Sequence, residues 1–183
     1  MKNVLVFGAT NSKESINKQL ALWAGNQLEN VNVSTLDLND YEMPIYSIDK
    51  EGASGIPKEV EVFKAEIAKA DAIIISFAEH NGNYTVAYKN IFDWVSRSTR
   101  EVYQNKPVFV LASSPGPGGA KSVLNIATSS LPYAAADVKG SFSLPSYHNN
   151  FTVEEGIKEG ALNEQFQSEF KKFKEAILVS ESV

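Results

Sequence analysis

Val4-Leu5-Val6-Phe7 runs into Gly8-Ala9-Thr10-Asn11-Ser12-Lys13-Glu14-Ser15-Ile16-Asn17, after which Leu20, Trp23, Ala24 and Leu28 continue the spacing of three and four begun at Ile16. A short apolar run, a small polar loop and an apolar face of period 3.6 read as strand, loop and helix. The same order recurs twice. Glu79-His80-Asn81-Gly82-Asn83-Tyr84 follows the apolar residues 73–77, and Ser113-Ser114-Pro115-Gly116-Pro117-Gly118-Gly119 follows 108–111. In an open parallel sheet the ligand crevice lies outside the carboxyl ends of the strands, so these three loops are placed to converge on one small molecule.

Working outward, apolar runs of four to six residues alternate with helical periodicity along the chain, the pattern of βαβ units and a parallel sheet covered on both faces. Five strands are expected, at 3–7, 32–37, 72–77, 108–112 and 138–142. Pro57 suits a first helical position and opens a helix through Val60, Phe63 and Ile67. Residues 86–97 carry Ala87, Ile91, Trp94 and Val95 at helical spacing, 119–130 read as a helix that ends before Pro132, and Leu162, Phe166, Phe170, Phe173 and Ile177 form a final stripe. The turn-rich segment 38–57, with Met43-Pro44-Ile45-Tyr46 inside it, reads as a long surface loop, and so does the stretch with Pro145, His148 and two asparagines. The expected fold is a single α/β domain over residues 1–183, a three-layer α/β/α sandwich.

Composition narrows the chemistry. At 183 residues with 43% hydrophobic side chains, the chain is long enough to bury a core without staples. It has no cysteine, which removes disulfides, thiolate catalysis and cysteine-ligated zinc and fits a reducing compartment. Two histidines far apart leave a metal site to rest on carboxylates, so no metal is expected. A net charge of −5 without a basic stripe argues against nucleic acid. No apolar run approaches the ~20 residues of a membrane span, and Met1-Lys2-Asn3 leads straight into a strand, so a cytoplasmic location and no membrane partner are expected.

The first loop ends at a helix N-terminus, where unpaired N–H groups and about half a positive charge favour an anion. Thr10, Ser12 and Ser15 add hydroxyls. The spacing is not G-x-G-x-x-G, so one phosphate suits it better than a dinucleotide pyrophosphate. The alternative is a plain helix cap, with Asn11 capping and Glu14 reaching back as in a capping box. In the second loop, Asn81-Gly82-Asn83 favours positive φ and close approach of backbone N–H groups to a ligand, and a simple turn is the alternative. Glu79 and His80 invite an acid–base reading, but neighbours on a loop are more often solvated than catalytic. The third loop has no bulky side chain from Pro115 to Gly119 and is able to lie flat against a ring.

Together these residues resemble the NAD(P)H-dependent FMN reductases of the flavodoxin-like superfamily. The first loop is similar to the family's phosphate loop at Gly8, Thr10, Ser12, Ser15 and Asn17. Ala78-Glu79-His80-Asn81-Gly82 and Tyr88-Lys89-Asn90-Ile91-Phe92-Asp93-Trp94 resemble its Pro-Glu-Tyr-Asn-Gly motif and the helix that follows. Lys106-Pro107-Val108 and Ser114-Pro115-Gly116-Pro117-Gly118-Gly119 resemble its fourth strand and the loop after it. Three departures stand out: loop one lacks the arginine many members carry, and Ala78 and His80 replace the usual proline and tyrosine.

The resemblance implies a flavodoxin-like five-stranded parallel sheet in the order 2-1-3-4-5. It implies FMN with its phosphate on Thr10, Ser12, Ser15, Ile16 and Asn17. The ring would lie among Glu79, His80, Asn81, Gly82 and Asn83 and against Ser114, Pro115, Gly116, Gly118 and Gly119. NADPH or NADH would pass hydride to flavin N5, leave, and be replaced by a small electron acceptor such as a quinone, azo compound or free flavin, with no side chain needed as acid or base. A one-electron carrier of the flavodoxin type and a non-catalytic FMN-binding protein are the rival readings. Residues 43–46 match a segment that often borders the flavin and a subunit contact. A homodimer or homotetramer is implied, and Tyr88, Phe92, Trp94 and Tyr103 offer aromatic surface for it. Lys89, Asn90, Asp93 and Trp94 are expected to cap, pack or line that contact.

Overall fold

Side chains one apart on a strand point to opposite faces, so in β1 (Lys2–Ala9) Leu5 and Phe7 join one apolar cluster while Val4 and Val6 join another. With both faces buried, the strand reads as an unbroken apolar run. In the computed structural model, which describes residues 1–158 and 160–179, four more strands join it, the two inner ones almost fully buried and the two edge ones more exposed. They are β2 (Val31–Thr35), β3 (Ala72–Phe77), β4 (Pro107–Ser113) and β5 (Asp137–Leu144), and the five form a parallel sheet in the order β2-β1-β3-β4-β5. The three-layer sandwich and its strand order are those expected. Of the expected domain 1–183, Glu159 and 180–183 lie outside the described residues.

The helices, in chain order, are α1 (Ile16–Gly25), α2 (Ile48–Ser54), α3 (Lys58–Lys69), α4 (Val86–Ser98), α5 (Lys121–Ser130), α6 (Tyr147–Asn150) and α7 (Gly160–Val179). Helices α3, α4 and α5 cover one face with Val60, Phe63, Ile91, Val95, Val123 and Ala127. Helices α1 and α7 cover the other. There Phe166, Phe170 and Phe173, one stripe of α7, surround Phe109 of β4 with ring centroids 5.0 to 5.9 Å away.

Register brings the three loops together. Ala9 pairs with Phe77, and Phe77 with Ala112, so the loops after β1, β3 and β4 leave the sheet side by side.

The segment 38–57 is more ordered than a surface loop. The Asp37 carboxylate accepts the Asn39 N–H at 3.0 Å and starts a 3-10 turn, Leu38–Tyr41, which takes the chain out of the sheet, so β2 ends at Thr35 rather than at Asp37. Ser47 caps α2, a helix that buries none of its residues and therefore carries no apolar periodicity to betray it. Helix α5 begins at Lys121 rather than Gly119, because Gly119 and Ala120 both take positive φ. The stretch after β5 holds α6, and β6 (Phe151–Thr152) pairs with β7 (Gly156–Ile157) as a short antiparallel hairpin.

Candidate functional site

The first loop is shaped by a close approach. A Cβ on Gly8 would stand 2.9 Å from the Lys18 nitrogen and 3.0 Å from its Cα, so only glycine lets the start of α1 pack this near β1. The Thr10 N–H turns back to the Gly8 carbonyl at 2.8 Å, and the Ser12 N–H donates to Thr10 Oγ1 at 3.1 Å. Ser15, and neither Asn11 nor Glu14, is the N-cap of α1, its Oγ accepting the Lys18 N–H at 3.2 Å. The capping box of Asn11 and Glu14, the alternative reading of this loop, does not form, because α1 starts at Ile16, five residues after Asn11. The Ile16 and Asn17 N–H groups, in the first turn, then point out of the helix end with its partial positive charge. The Lys18 ammonium is paired with Asp37, and this hydrogen bond, opposed by partial desolvation, holds the Asp37 carboxyl below its ordinary range.

Asn17 ties the strand ends together. Only 3% exposed, it donates from Nδ2 to the Ser113 carbonyl at 3.0 Å and accepts the Ser113 N–H at 2.9 Å and the Ser76 hydroxyl at 2.8 Å on Oδ1. Its carboxamide is thus engaged between β3 and β4, which leaves its backbone N–H as the group facing the loop.

The second loop is a tight hairpin. His80 and Asn83 exchange backbone hydrogen bonds at 2.9 and 3.1 Å around Asn81 (φ 52°) and Gly82 (φ 75°), the twin positive φ of a type I′ turn. A Cβ on Gly82 would meet nothing within 4 Å, so this glycine answers to backbone conformation rather than to packing. Glu79 reaches across to the helix that follows the third loop, where its Oε2 accepts the Val123 N–H in the first turn of α5 at 2.9 Å. Helix α5 has no cap of its own, since its N-cap residue is Ala120, so the Glu79 carboxylate serves in that place.

The third loop is braced from β5 and from the chain beyond it. Ser143 Oγ donates to the Gly119 carbonyl at 2.7 Å, the Ser146 N–H to Gly116 O at 2.9 Å, and the Tyr147 N–H to Ser114 O at 3.1 Å. Gly119 is held on its inner side: with φ 60°, a Cβ added there would run into Ser143 Oγ. Gly116 and Gly118 have nothing within 4 Å of the same position, and with the exposed Pro115 they form a smooth outer rim.

A cleft of about 410 Å³ opens beside loops one and two. Its walls are the carboxamides of Asn11, Asn39 and Asn90, the apolar side chains of Leu38, Met43, Ile45, Val86 and Ile91, and Tyr41, Glu42, His80 and Thr85. The structure brings Asn11 and His80 to this cleft and leaves loop three outside it, on the far side of loop two. Sequence reasoning missed three groups of residues here. Leu38, Asn39, Tyr41 and Glu42 belong to the 3-10 turn, and Asn39 Nδ2 donates to the Asn11 carbonyl at 3.2 Å. Thr85 caps α4 and donates from Oγ1 to the Ala9 carbonyl at 2.9 Å. Ser143, Ser146 and Tyr147 brace loop three. The Asp37-x-Asn39 turn and a threonine just before Val86 are visible local signals; the braces join residues distant in sequence and leave none.

Asn90 and Trp94 clamp the cleft wall. Asn90 accepts the Tyr46 N–H at 2.9 Å and donates to the Met43 and Pro44 carbonyls at 3.0 and 3.3 Å, while Trp94 Nε1 donates to Pro44 O at 2.7 Å. Lys89 and Asp93 pair with each other at 2.7 Å. All four residues pack or pair within the chain. The aromatic surface expected for a subunit contact is a different matter. Tyr88, Trp94 and Tyr103 are buried within the chain and Phe92 is half-buried, because Tyr88 packs against Phe77, Tyr84 and Phe92 and shares a hydrogen bond of 2.6 Å with the Tyr103 hydroxyl. The exposed apolar side chains near the cleft are instead Ile45 and Val86, each 67% exposed.

The sequence profile of the family described as NADPH-dependent FMN reductase matches residues 2–149. A Mycoplasma pneumoniae protein described as uncharacterized is 26% identical over 152 residues, 80% of this chain and 89% of that protein. The quinone reductase of Escherichia coli K12 is 35% identical over 81 residues, 44% of this chain, and the match spans 43% of the length of that enzyme. Among solved structures, FerB of Paracoccus denitrificans, a flavoenzyme NAD(P)H:(acceptor) oxidoreductase, superposes with a TM-score of 0.76 over 98% of both chains at 22% identity, a likeness of fold.

Proposed function

The chain belongs to the NADPH-dependent FMN reductase family, and from that premise we propose that it is an FMN-dependent NAD(P)H oxidoreductase serving a small acceptor such as a quinone, an azo compound or a free flavin. One observation carries the reading. A helix start prepared for an anion and two loops with open glycines leave adjacent strand ends, held in place by Asn17, Thr85 and Glu79.

The residues present fit the cofactor. Thr10 and Ser15 each accept an internal N–H on the hydroxyl oxygen, which leaves the hydroxyl hydrogen for a phosphate oxygen. Ser12 adds a third hydroxyl, and the Ile16 and Asn17 N–H groups complete an anion site without arginine. Asn81 and Gly82 offer N–H groups that the hairpin does not use. The open sides of Gly82, Gly116 and Gly118 leave room for a flat ring, with His80, Asn83, Ser114, Pro115 and Gly119 around it. When bound, FMN supplies the two-electron relay between NAD(P)H and acceptor. The protein binds, orients and shields, and no side chain is assigned as acid or base; Glu79 is occupied as a helix cap.

Residues 1–183 are read as a single FMN-binding domain. Among the described residues no helix is long and apolar enough to cross a membrane. We place the protein in the cytoplasm, which supplies NAD(P)H and suits a chain without cysteine. A homodimer or homotetramer is favoured by Ile45 and Val86, two exposed apolar side chains that share the rim of the cleft. Light scattering at micromolar concentration checks it, and a monomer with full turnover would contradict it.

Steady-state oxidation of NADH and NADPH by the FMN-loaded protein, with a neutral quinone as acceptor, tests the function. Sustained turnover with parallel double-reciprocal lines is expected, since one platform serves both substrates in turn. A one-electron carrier would need a partner reductase, and a non-catalytic binder would hold FMN without turnover. His80→Tyr is expected to change the preference among acceptors more than the rate of flavin reduction by NAD(P)H.

A further inference from the structure

The chain between β5 and α7 holds no residue that the reading above places against the flavin, yet it touches both halves of that site. At one end it holds loop three: the Ser146 N–H donates to Gly116 O at 2.9 Å and the Tyr147 N–H to Ser114 O at 3.1 Å. At the other end it lies on α1. Phe151 meets Trp23 edge to face with ring centroids 5.4 Å apart, and a Cβ on Gly156 would stand 2.7 Å from Trp23 Cζ2, so the hairpin of β6 and β7 rests directly on that ring. This hairpin lies beyond residues 2–149 and is no part of what the family match carries.

Tyr147 joins the two ends in one residue. Its backbone N–H is engaged by loop three, while its ring packs on Phe151 with centroids 5.0 Å apart and its hydroxyl donates to Gln19 Oε1 at 2.8 Å. Gln19 stands one turn into α1, its N–H bonded to the carbonyl of the N-cap Ser15 at 3.1 Å. Asn17 ties α1 to Ser113, the base of loop three where β4 ends. The carbonyls of Ser114 and Gly116, further along the loop, are held from Tyr147 and Ser146. Two sites for the two ends of one ligand reinforce each other only while the span between them matches the ligand, because a loose span lowers the effective concentration of the second end at its site. We propose that Tyr147 is a positioning residue that fixes the span between the anion site at the start of α1 and the ring platform of loop three, so that phosphate and ring of one FMN are bound as a unit. The inference rests on the FMN reading above. Tyr147 acts through Gln19 and Ser114.

Affinities of the apoprotein for FMN and for riboflavin, followed by flavin fluorescence, are compared in wild type, Tyr147→Phe, Gln19→Met and the double variant, each with its urea midpoint. Phenylalanine keeps the ring on Phe151 and removes only the bond to Gln19; methionine keeps the length of the Gln19 side chain and removes its acceptor. Each single variant should lower the ratio of FMN to riboflavin affinity by roughly threefold or more, the scale of one neutral hydrogen bond. The double variant should lower it no further, because both substitutions break the same link. A bond that only supports the fold would lower the urea midpoint and leave the ratio at its wild-type value. An unchanged ratio in Tyr147→Phe and Gln19→Met, or additive losses in the double variant, would overturn the proposal while a wild-type preference for FMN left the parent reading standing. Equal affinity of wild type for the two flavins, or binding of neither, would instead remove the parent reading and the proposal with it.

Discussion

Ser15 carries two roles, and two substitutions separate them. As the N-cap of α1 it accepts the Lys18 N–H, so Ser15→Ala should cost about 1 kcal/mol of stability. Aspartate caps as well as serine, yet puts a negative charge where the phosphate is proposed to sit. Ser15→Asp should therefore keep the denaturant midpoint and lose FMN affinity; a lower midpoint with unchanged affinity would leave Ser15 a cap and nothing more. Glu79 invites a parallel comparison. Glu79→Ala uncaps α5 and should cost about 1 kcal/mol in urea unfolding, and Glu79→Gln, whose amide oxygen still accepts from Val123, should recover most of it. Equal losses in the two variants would mean that the carboxylate charge, not the hydrogen bond, matters there.

At the scale of elements, α1 is fastened to the sheet at two points, Gly8 and Asn17. Asn17→Ala would leave the buried Ser113 N–H and the Ser76 hydroxyl without partners, a loss of about 2–4 kcal/mol in denaturant unfolding. A loss below about 1 kcal/mol would show that water or neighbours replace the carboxamide. The Lys18–Asp37 pair joins α1 to the turn after β2 and gives a pH signature. Asp37 is held below the ordinary carboxylate value of 3.8, so the folded state binds its proton less tightly than the unfolded chain. Its stabilisation is present above that value and fades as pH falls below it, through the lower folded pKa. Asp37→Asn should flatten the fall in stability below about pH 4, read from urea midpoints across that range. Strands β1, β3 and β4 and the three loops were legible because buried parallel strands are continuous apolar runs and glycines punctuate them. Helix α2 was not, since it buries nothing, and the N-cap of α1 was not, because Asn11 and Glu14 also have the spacing of a capping box while the cap is Ser15. Whether the first, second and third loops form one site was legible only in outline: Asn17, Thr85 and Glu79 bridge them through contacts between residues up to 96 apart in sequence.

For the whole molecule, the two faces of the sheet differ in what they bury. The α3–α4–α5 face holds the Tyr88–Tyr103 hydroxyl pair, and burial pushes both phenols well above their ordinary range. On the other side Tyr147, bonded to Gln19, is pushed up to about 12 by burial. Phenols raised in the folded state contribute stability that is complete below their unfolded pKa near 10 and is lost as pH rises above it. Alkaline unfolding should therefore begin above about pH 10, and the phenolate absorbance of these residues should appear with unfolding rather than before it. Early ionisation in a protein still folded by circular dichroism would contradict that burial.

The central claim is that three loops at neighbouring strand ends hold FMN by its phosphate. It is tested most directly by comparing the affinities of the apoprotein for FMN and for riboflavin, followed by flavin fluorescence. A phosphate on the α1 N-terminus and its hydroxyls should make FMN bind at least tenfold more tightly, about 1.4 kcal/mol. Equal affinity for the two flavins would contradict it.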